Sequence, residues 1–183
     1  MKYQSDLTSL LTEQKLPLGL TGIEQLGDAS ALMSELTWLE QCINYRINAY
    51  FQQAEVKPVS EGPGALPQAP NLSASEGDAY ISLLQQLQLN TAERLVLILA
   101  LAPYLKPQLL DIFFAKNALY QRIYTEFGGI NAKVHGGFLP TIETGLFLLA
   151  GQNLAERLSF MALFRPEHLL FQQEILVSVP TNP

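Results

Sequence analysis

Four glycines fall within ten residues, as the pairs Gly128-Gly129 and Gly136-Gly137, in a run that opens on Phe127 and passes through His135 to Phe138. No residue loses more backbone freedom on ordering than glycine, so this density excludes the interior of a helix or a strand. Such a stretch orders only where the backbone needs positive φ or a close approach. The expected form is a β-hairpin, with short strands either side of Ile130 to His135 and the glycines at its bends, the alternative being a phosphate cradle at the N-terminus of the helix that opens at Pro140. Beyond it, Pro140 to Ala150 reads as a short apolar helix closed by Gly151.

The rest of the chain is helical in pattern. From about Ala29 to Gln53, Leu32, Leu36, Leu39, Ile43, Ile47 and Tyr50 recur at helical spacing, with Asp28 placed to cap the start. Trp38, Cys42, Tyr45 and Ala49 add a second stripe, and an arc this wide packs against two neighbours. Glu35 and Arg46 lie inside the arc, roughly 16 Å apart along the axis, so they cannot pair with each other, and each either meets a partner from elsewhere or sits at the edge of the packed face. Asp78 to Leu89 reads as a helix. Asn90 and Glu93 then form a capping box for an all-round apolar helix ending near Pro103. Pro107 opens a helix to about Lys116, Ala118 to Phe127 continues as another, and Gln152 or Asn153 caps one to about Phe164. Pro166 opens one more turn. Glu174 to Val179, β-branched and stopped by Pro180, reads as a strand. The expectation is a mainly α protein, a helical bundle with a small β-hairpin or strand component. Its parts are a helical segment over 1–54, a Pro/Gly/Ser-rich linker or long surface loop over 55–76, and a second helical unit over 77–183.

Composition bounds the function. With 48% apolar residues the chain can build a substantial core, while its net charge of −6 argues against a broad phosphate-binding surface and against a membrane-surface role. The longest apolar run, Leu95 to Pro103, is far short of the roughly 20 residues of a membrane-spanning helix. The N-terminus has no signal-peptide core, and the lone Cys42 excludes an internal disulfide, so a cytoplasmic setting is expected.

Catalytic and metal signatures are sparse. His135 and His168 are the only imidazoles and share no ligand-like spacing with Cys42, so no metal site is expected. The patterns G-x-x-x-x-G-K-[ST] and G-x-G-x-x-G do not occur. Ser159 and Ser178 lack a nucleophile-elbow context. His135 either fixes the loop backbone by hydrogen bonding or, beside a carboxylate such as Glu126 or Glu143, carries protons; spacing does not decide between them. Phe113, Phe114, Tyr120, Tyr124 and Phe127 fall near helical spacing as a core stripe, any exposed member of which is a docking surface.

Residues 89–105 follow the pattern L-x-x-x-E-R-x-x-L-x-L-A-L-A-P-x-L, with Glu93 and Arg94 as its charged pair. This resembles the segment upstream of the ATPase module in AAA+ proteins encoded with contractile injection systems, of the antifeeding-prophage and type VI kinds. Lys106 to Asn117, Tyr124 to Gly129 and His135 to Gly151 resemble the Bacteroidetes-type branch of that family, so the likeness covers roughly residues 76–180. It implies a winged-helix-like domain over 77–183 that precedes an AAA+ module absent from this chain. ATP and Mg²⁺ are then expected only in that module, and the chain is either a cut-out N-terminal region or a stand-alone relative. The implied function is non-catalytic recognition of an injection-system component, an effector or a neighbouring subunit. The partner-binding surface expected is the loop of Phe127, Gly128, Gly129, His135, Gly136, Gly137 and Phe138, with exposed aromatics beside it. A stand-alone assembly scaffold and a small enzyme using His135 are the alternatives.

Overall fold

The structure, a computed structural model, describes residues 29–55, 66–72, 78–131 and 136–177. Four α-helices and one 3-10 helix carry its core. The first, α1, spans Ser30–Glu55, so the expected helix is present, while its proposed cap Asp28 lies outside the described residues. Helix α2 is Ala79–Leu87, and Asp78 caps it by accepting from the N–H groups of Tyr80 and Ile81. Helix α3 is Thr91–Leu105, started by the expected capping box: Asn90 Oδ1 accepts from the N–H groups of Ala92 and Glu93, and Glu93 Oε2 accepts from Asn90 N–H at 2.7 Å. Pro103 lacks an N–H and sits in its last turn. The chain then bends by 99° into a 3-10 helix at Pro107–Phe114. Helix α4 spans Ile142–Ala150 and α5 Leu154–Phe160, capped by Asn153 and followed by 3-10 turns to Phe164; the four-residue α6 is Leu169–Gln172.

Burial follows the apolar arcs. Helix α3 is buried on nearly every side, with Leu95, Val96, Ile98, Leu99 and Ala102 facing the main core and Leu97 facing a smaller cluster with Ala31, Tyr80, Ile81 and Leu84. The main core joins α1, through Leu36, Trp38, Leu39, Cys42, Ile43 and Ile47, to α3 and to Phe147, Leu148 and Leu149 of α4. The N-terminal helix therefore shares one core with the helices that follow residue 78. The stretch 66–72 runs irregularly across it, held where Trp38 Nε1 donates to Pro67 O at 2.8 Å and Arg94 Nη2 donates to Pro70 O at 3.0 Å.

Both charges inside the α1 arc find partners from elsewhere. Glu35, fully buried, pairs with Arg94, whose guanidinium also lies over the Trp38 ring at 5.7 Å. Burial outweighs that pairing and raises the Glu35 carboxyl above the usual carboxylate range. Arg46 donates to Leu148 O and Leu149 O at 2.7 and 2.6 Å. These are carbonyls of the last turn of α4, which a helix cannot satisfy internally, and a cation suits that end of the helix dipole.

The β component is two short antiparallel pairs. Strands β1 (Lys116–Asn117) and β2 (Arg122–Ile123) form one; β3 (Ile130–Asn131) and β4 (Phe138–Leu139) form the other. The first pair corrects the helix expected over Ala118 to Phe127. Asn117 Oδ1 accepts from the N–H groups of Leu119 and Tyr120, and Gln121 takes φ +54°, so the chain reverses instead of coiling. Only Thr125–Phe127 forms a helical turn, of 3-10 type. The strand expected from Glu174 to Val179 is also corrected over its described part, 174–177. Glu174 takes φ +55°, its N–H bonds Phe171 O and Ile175 N–H bonds Leu170 O, the pattern of a Schellman C-cap. Ile175 thereby folds back onto the smaller core cluster; residues 178 and 179 lie outside the described residues.

Among the described residues no single helix is long and apolar enough to cross a membrane. The pair Thr91–Leu105 and Pro107–Phe114 has the length and composition only together, across its 99° bend.

Candidate functional site

The glycine loop stands on an aromatic platform. Phe127, fully buried, meets Tyr50, Phe113, Tyr124 and Phe147 with ring centroids 5.0–5.7 Å apart. Phe138, at the other end of the loop, stacks on Phe113 at 5.1 Å and meets Phe114 edge-on at 5.6 Å. The two aromatic residues that bound the loop are core residues and give it a fixed base. Phe113 is likewise buried and Tyr124 half-buried, so of the expected aromatic stripe Tyr120 alone is largely exposed.

The first glycine pair is the tight end. A Cβ at Gly128 would lie 2.6 Å from Glu143 Cβ, and one at Gly129, where φ is +81°, would lie 2.0 Å from Phe138 Cζ. Gly129 N–H donates to Thr141 Oγ1 at 3.0 Å, and the same hydroxyl donates to Glu143 Oε2 at 2.5 Å. Thr141 N–H in turn donates to Thr144 Oγ1 at 3.1 Å, which closes the start of α4. The Thr141 hydroxyl holds the Glu143 carboxyl below the usual carboxylate range, in the first turn of a helix, where negative charge is favoured. The second pair is the open end: Gly136 takes φ +60° with no atom within 4 Å of its Cβ position, and is exposed beside the half-buried Gly137. His135 lies outside the described residues.

Among the described residues, acidic groups near the loop and along α3 are held in structural pairs. Glu126 pairs with Arg157, which also donates to Gly151 O at 3.0 Å. Glu93 Oε1 lies 3.1 Å from His168 Nε2. His168 Nδ1 accepts from Leu170 N–H at the start of α6, so the proton sits on Nε2 and is donated to Glu93. Both charged residues of the E-R pattern are therefore architectural: Glu93 joins α3 to α6, and Arg94 joins α3 to α1 and to Pro70. Cys42 is fully buried, and burial pushes its thiol up to about 12. Among the described residues no three His, Cys, Asp or Glu side chains converge as a metal-ligand group.

One surface was hidden by the expected 118–127 helix. The β1–β2 hairpin carries Leu119 and Tyr120 at its tip, 78% and 70% exposed, between the exposed cations Lys116 and Arg122. Asn117 is the residue that could have signalled it, since its side chain competes for backbone N–H groups.

No protein-family model, no curated protein and no solved structure matches the chain.

Proposed function

We propose that this chain is a non-catalytic protein-recognition region, preceding the ATPase module of a cytoplasmic AAA+ protein associated with a contractile injection system. The winged-helix-like architecture and the separate AAA+ module belong to this proposal and rest on the resemblance of residues 89–105, 106–117, 124–129 and 135–151. The observation that carries the recognition reading is the fate of the ionisable groups. Glu35 and Arg94, Glu93 and His168, Glu126 and Arg157, and Glu143 with Thr141 are each engaged in holding the fold. Phe127 and Phe138 are meanwhile seated in the core, and beside Phe138 the chain opens to solvent at Gly136. Such a scaffold presents a shaped surface. ATP and Mg²⁺ act, on this proposal, in the separate ATPase module, and a tail component, an effector or a neighbouring subunit is what the region holds.

Co-expression with each structural protein of the associated injection system, followed by size-exclusion chromatography, tests this. One component should co-elute, and Gly136→Glu with Gly137→Glu should weaken the complex while lowering the melting temperature by about 2–8 °C, the cost of left-handed strain at Gly136. Elution alone from every component, or ATP turnover by the isolated chain, overturns the proposal.

A further inference from the structure

The hairpin tip is built from residues that turns avoid. Turns favour Gly, Asn, Asp, Ser and Pro, yet this one reads Ala118-Leu119-Tyr120-Gln121. Folding does not account for the choice, because Leu119 and Tyr120 stay mostly exposed. The turn is also rigidly set. Asn117 Oδ1 accepts from Leu119 N–H at 2.9 Å and Tyr120 N–H at 3.2 Å, Gln121 N–H donates to Asn117 O at 2.8 Å, and Gln121 Nε2 donates to Ala118 O at 2.8 Å. Two large apolar side chains on a preorganised turn lose little freedom on docking, the condition under which apolar contacts yield affinity.

Charge narrows the occupant. Arg94, Lys106 and Arg157 are ion-paired within the fold, and Arg46 is used on α4 carbonyls. Among the described residues Lys116, Arg122 and Arg165 form no ion pair, and two of these three flank the tip. The chain as a whole carries −6. A cationic, apolar knob on an acidic molecule is complementary to an apolar pocket edged by carboxylates. A second copy of this chain, also at −6, meets overall repulsion. Two cations around an apolar tip are too few for phosphate-driven binding of nucleic acid. Strands of two residues offer too short an edge for adding a partner's strand.

We infer that the Lys116–Ile123 hairpin inserts Leu119 and Tyr120 into an apolar, carboxylate-rimmed pocket of a different protein. This deepens the recognition reading above and rests on it. The test places the photo-crosslinking residue benzoylphenylalanine at Tyr120, and separately at Gly136, in the full chain within its source cells. The captured protein is then purified and titrated against the chain by calorimetry. A single heterologous adduct is expected from Tyr120, mapping to an apolar segment with Asp or Glu beside it. Leu119→Ser should weaken binding at least about 30-fold, in the range of interface hot spots. Lys116→Glu with Arg122→Glu should weaken it about tenfold and abolish its salt dependence. All variants should keep the wild-type melting temperature, since the residues are exposed. Adducts only with copies of this chain or with nucleic acid, or an affinity indifferent to Leu119→Ser, overturn the inference. Capture from Gly136 but not Tyr120 overturns it and leaves the recognition reading standing; silence at both positions overturns both.

Discussion

Alanine at Gly129 and at Gly136 separates two costs that usually come together. Both glycines have positive φ, +81° and +60°, so either alanine carries about 1–2 kcal/mol of left-handed backbone strain. Both also lose similar unfolded-state freedom. They differ in space. A Cβ at Gly136 meets nothing within 4 Å, whereas at Gly129 it lies 2.0, 2.3 and 2.7 Å from three atoms of the Phe138 ring. That ring is buried and held by Phe113 and Phe114. To make room it must leave its seat, forfeiting about 1.5–3 kcal/mol of burial and about 0.5–1.5 kcal/mol for each aromatic pairing it breaks. Gly136→Ala should therefore cost about 1–2 kcal/mol, and Gly129→Ala about 3.5–8 kcal/mol. Urea unfolding followed by the fluorescence of Trp38, the single tryptophan and a buried one, measures both. A difference between the two variants below about 1 kcal/mol would refute the claim that Phe138 is seated against the loop backbone.

Arg46→Met keeps much of the side-chain volume but leaves Leu148 O and Leu149 O without their donors. At about 1–3 kcal/mol per buried unsatisfied carbonyl, offset in part by releasing a buried guanidinium, the loss should be about 2–4 kcal/mol in denaturant melts; a variant as stable as wild type would contradict the capping role. Cys42 should ignore a thiol reagent such as DTNB in native buffer at pH 8 and react only as urea opens the core, because its thiol is buried and pushed up to about 12. Immediate native labelling would contradict its placement. Glu143, with a folded pKa below its ordinary 4.5, adds stability that is present above that value and lost as pH falls through the folded one. Glu143→Gln should be less stable than wild type at pH 7, and urea midpoints of the two should converge toward pH 3; parallel curves would remove the Thr141–Glu143 bond from the account.

The parts of this fold that sequence conveys are those decided locally. The apolar arcs of α1 and α3, the Asn90–Glu93 capping box and the helix closed by Gly151 each depend on residues within a turn or two of one another. That Glu35 and Arg46 cannot pair with each other was legible from their spacing in an apolar arc; whether they meet outside partners or sit at the edge of the packed face was not. Nor were the partners themselves, since they lie 59 and 102 residues away. The 116–123 hairpin and the cap at Glu174 escaped for another reason. Each turns on positive φ at a Gln or a Glu, residues that carry no signal for that conformation, and a single Asn117 side chain decides between coil and reversal. The candidate loop was legible as a pair of short antiparallel strands, and β3 and β4 bear that out; most of the bend between them, 132–135, lies outside the described residues. That Phe127 and Phe138 anchor it from inside was not, because periodicity counts apolar residues without saying which rings share a seat.

The seat of Arg46 sets a schedule for making the protein. Its carbonyl acceptors are synthesised 102 residues after it, which at about 5–20 residues per second is a delay of roughly 5–20 s. Through that interval the Arg46 guanidinium lacks the acceptors against which it is finally buried and stays hydrated. A chain that ends before Leu148 lacks the carbonyl groups against which the Arg46 guanidinium is buried.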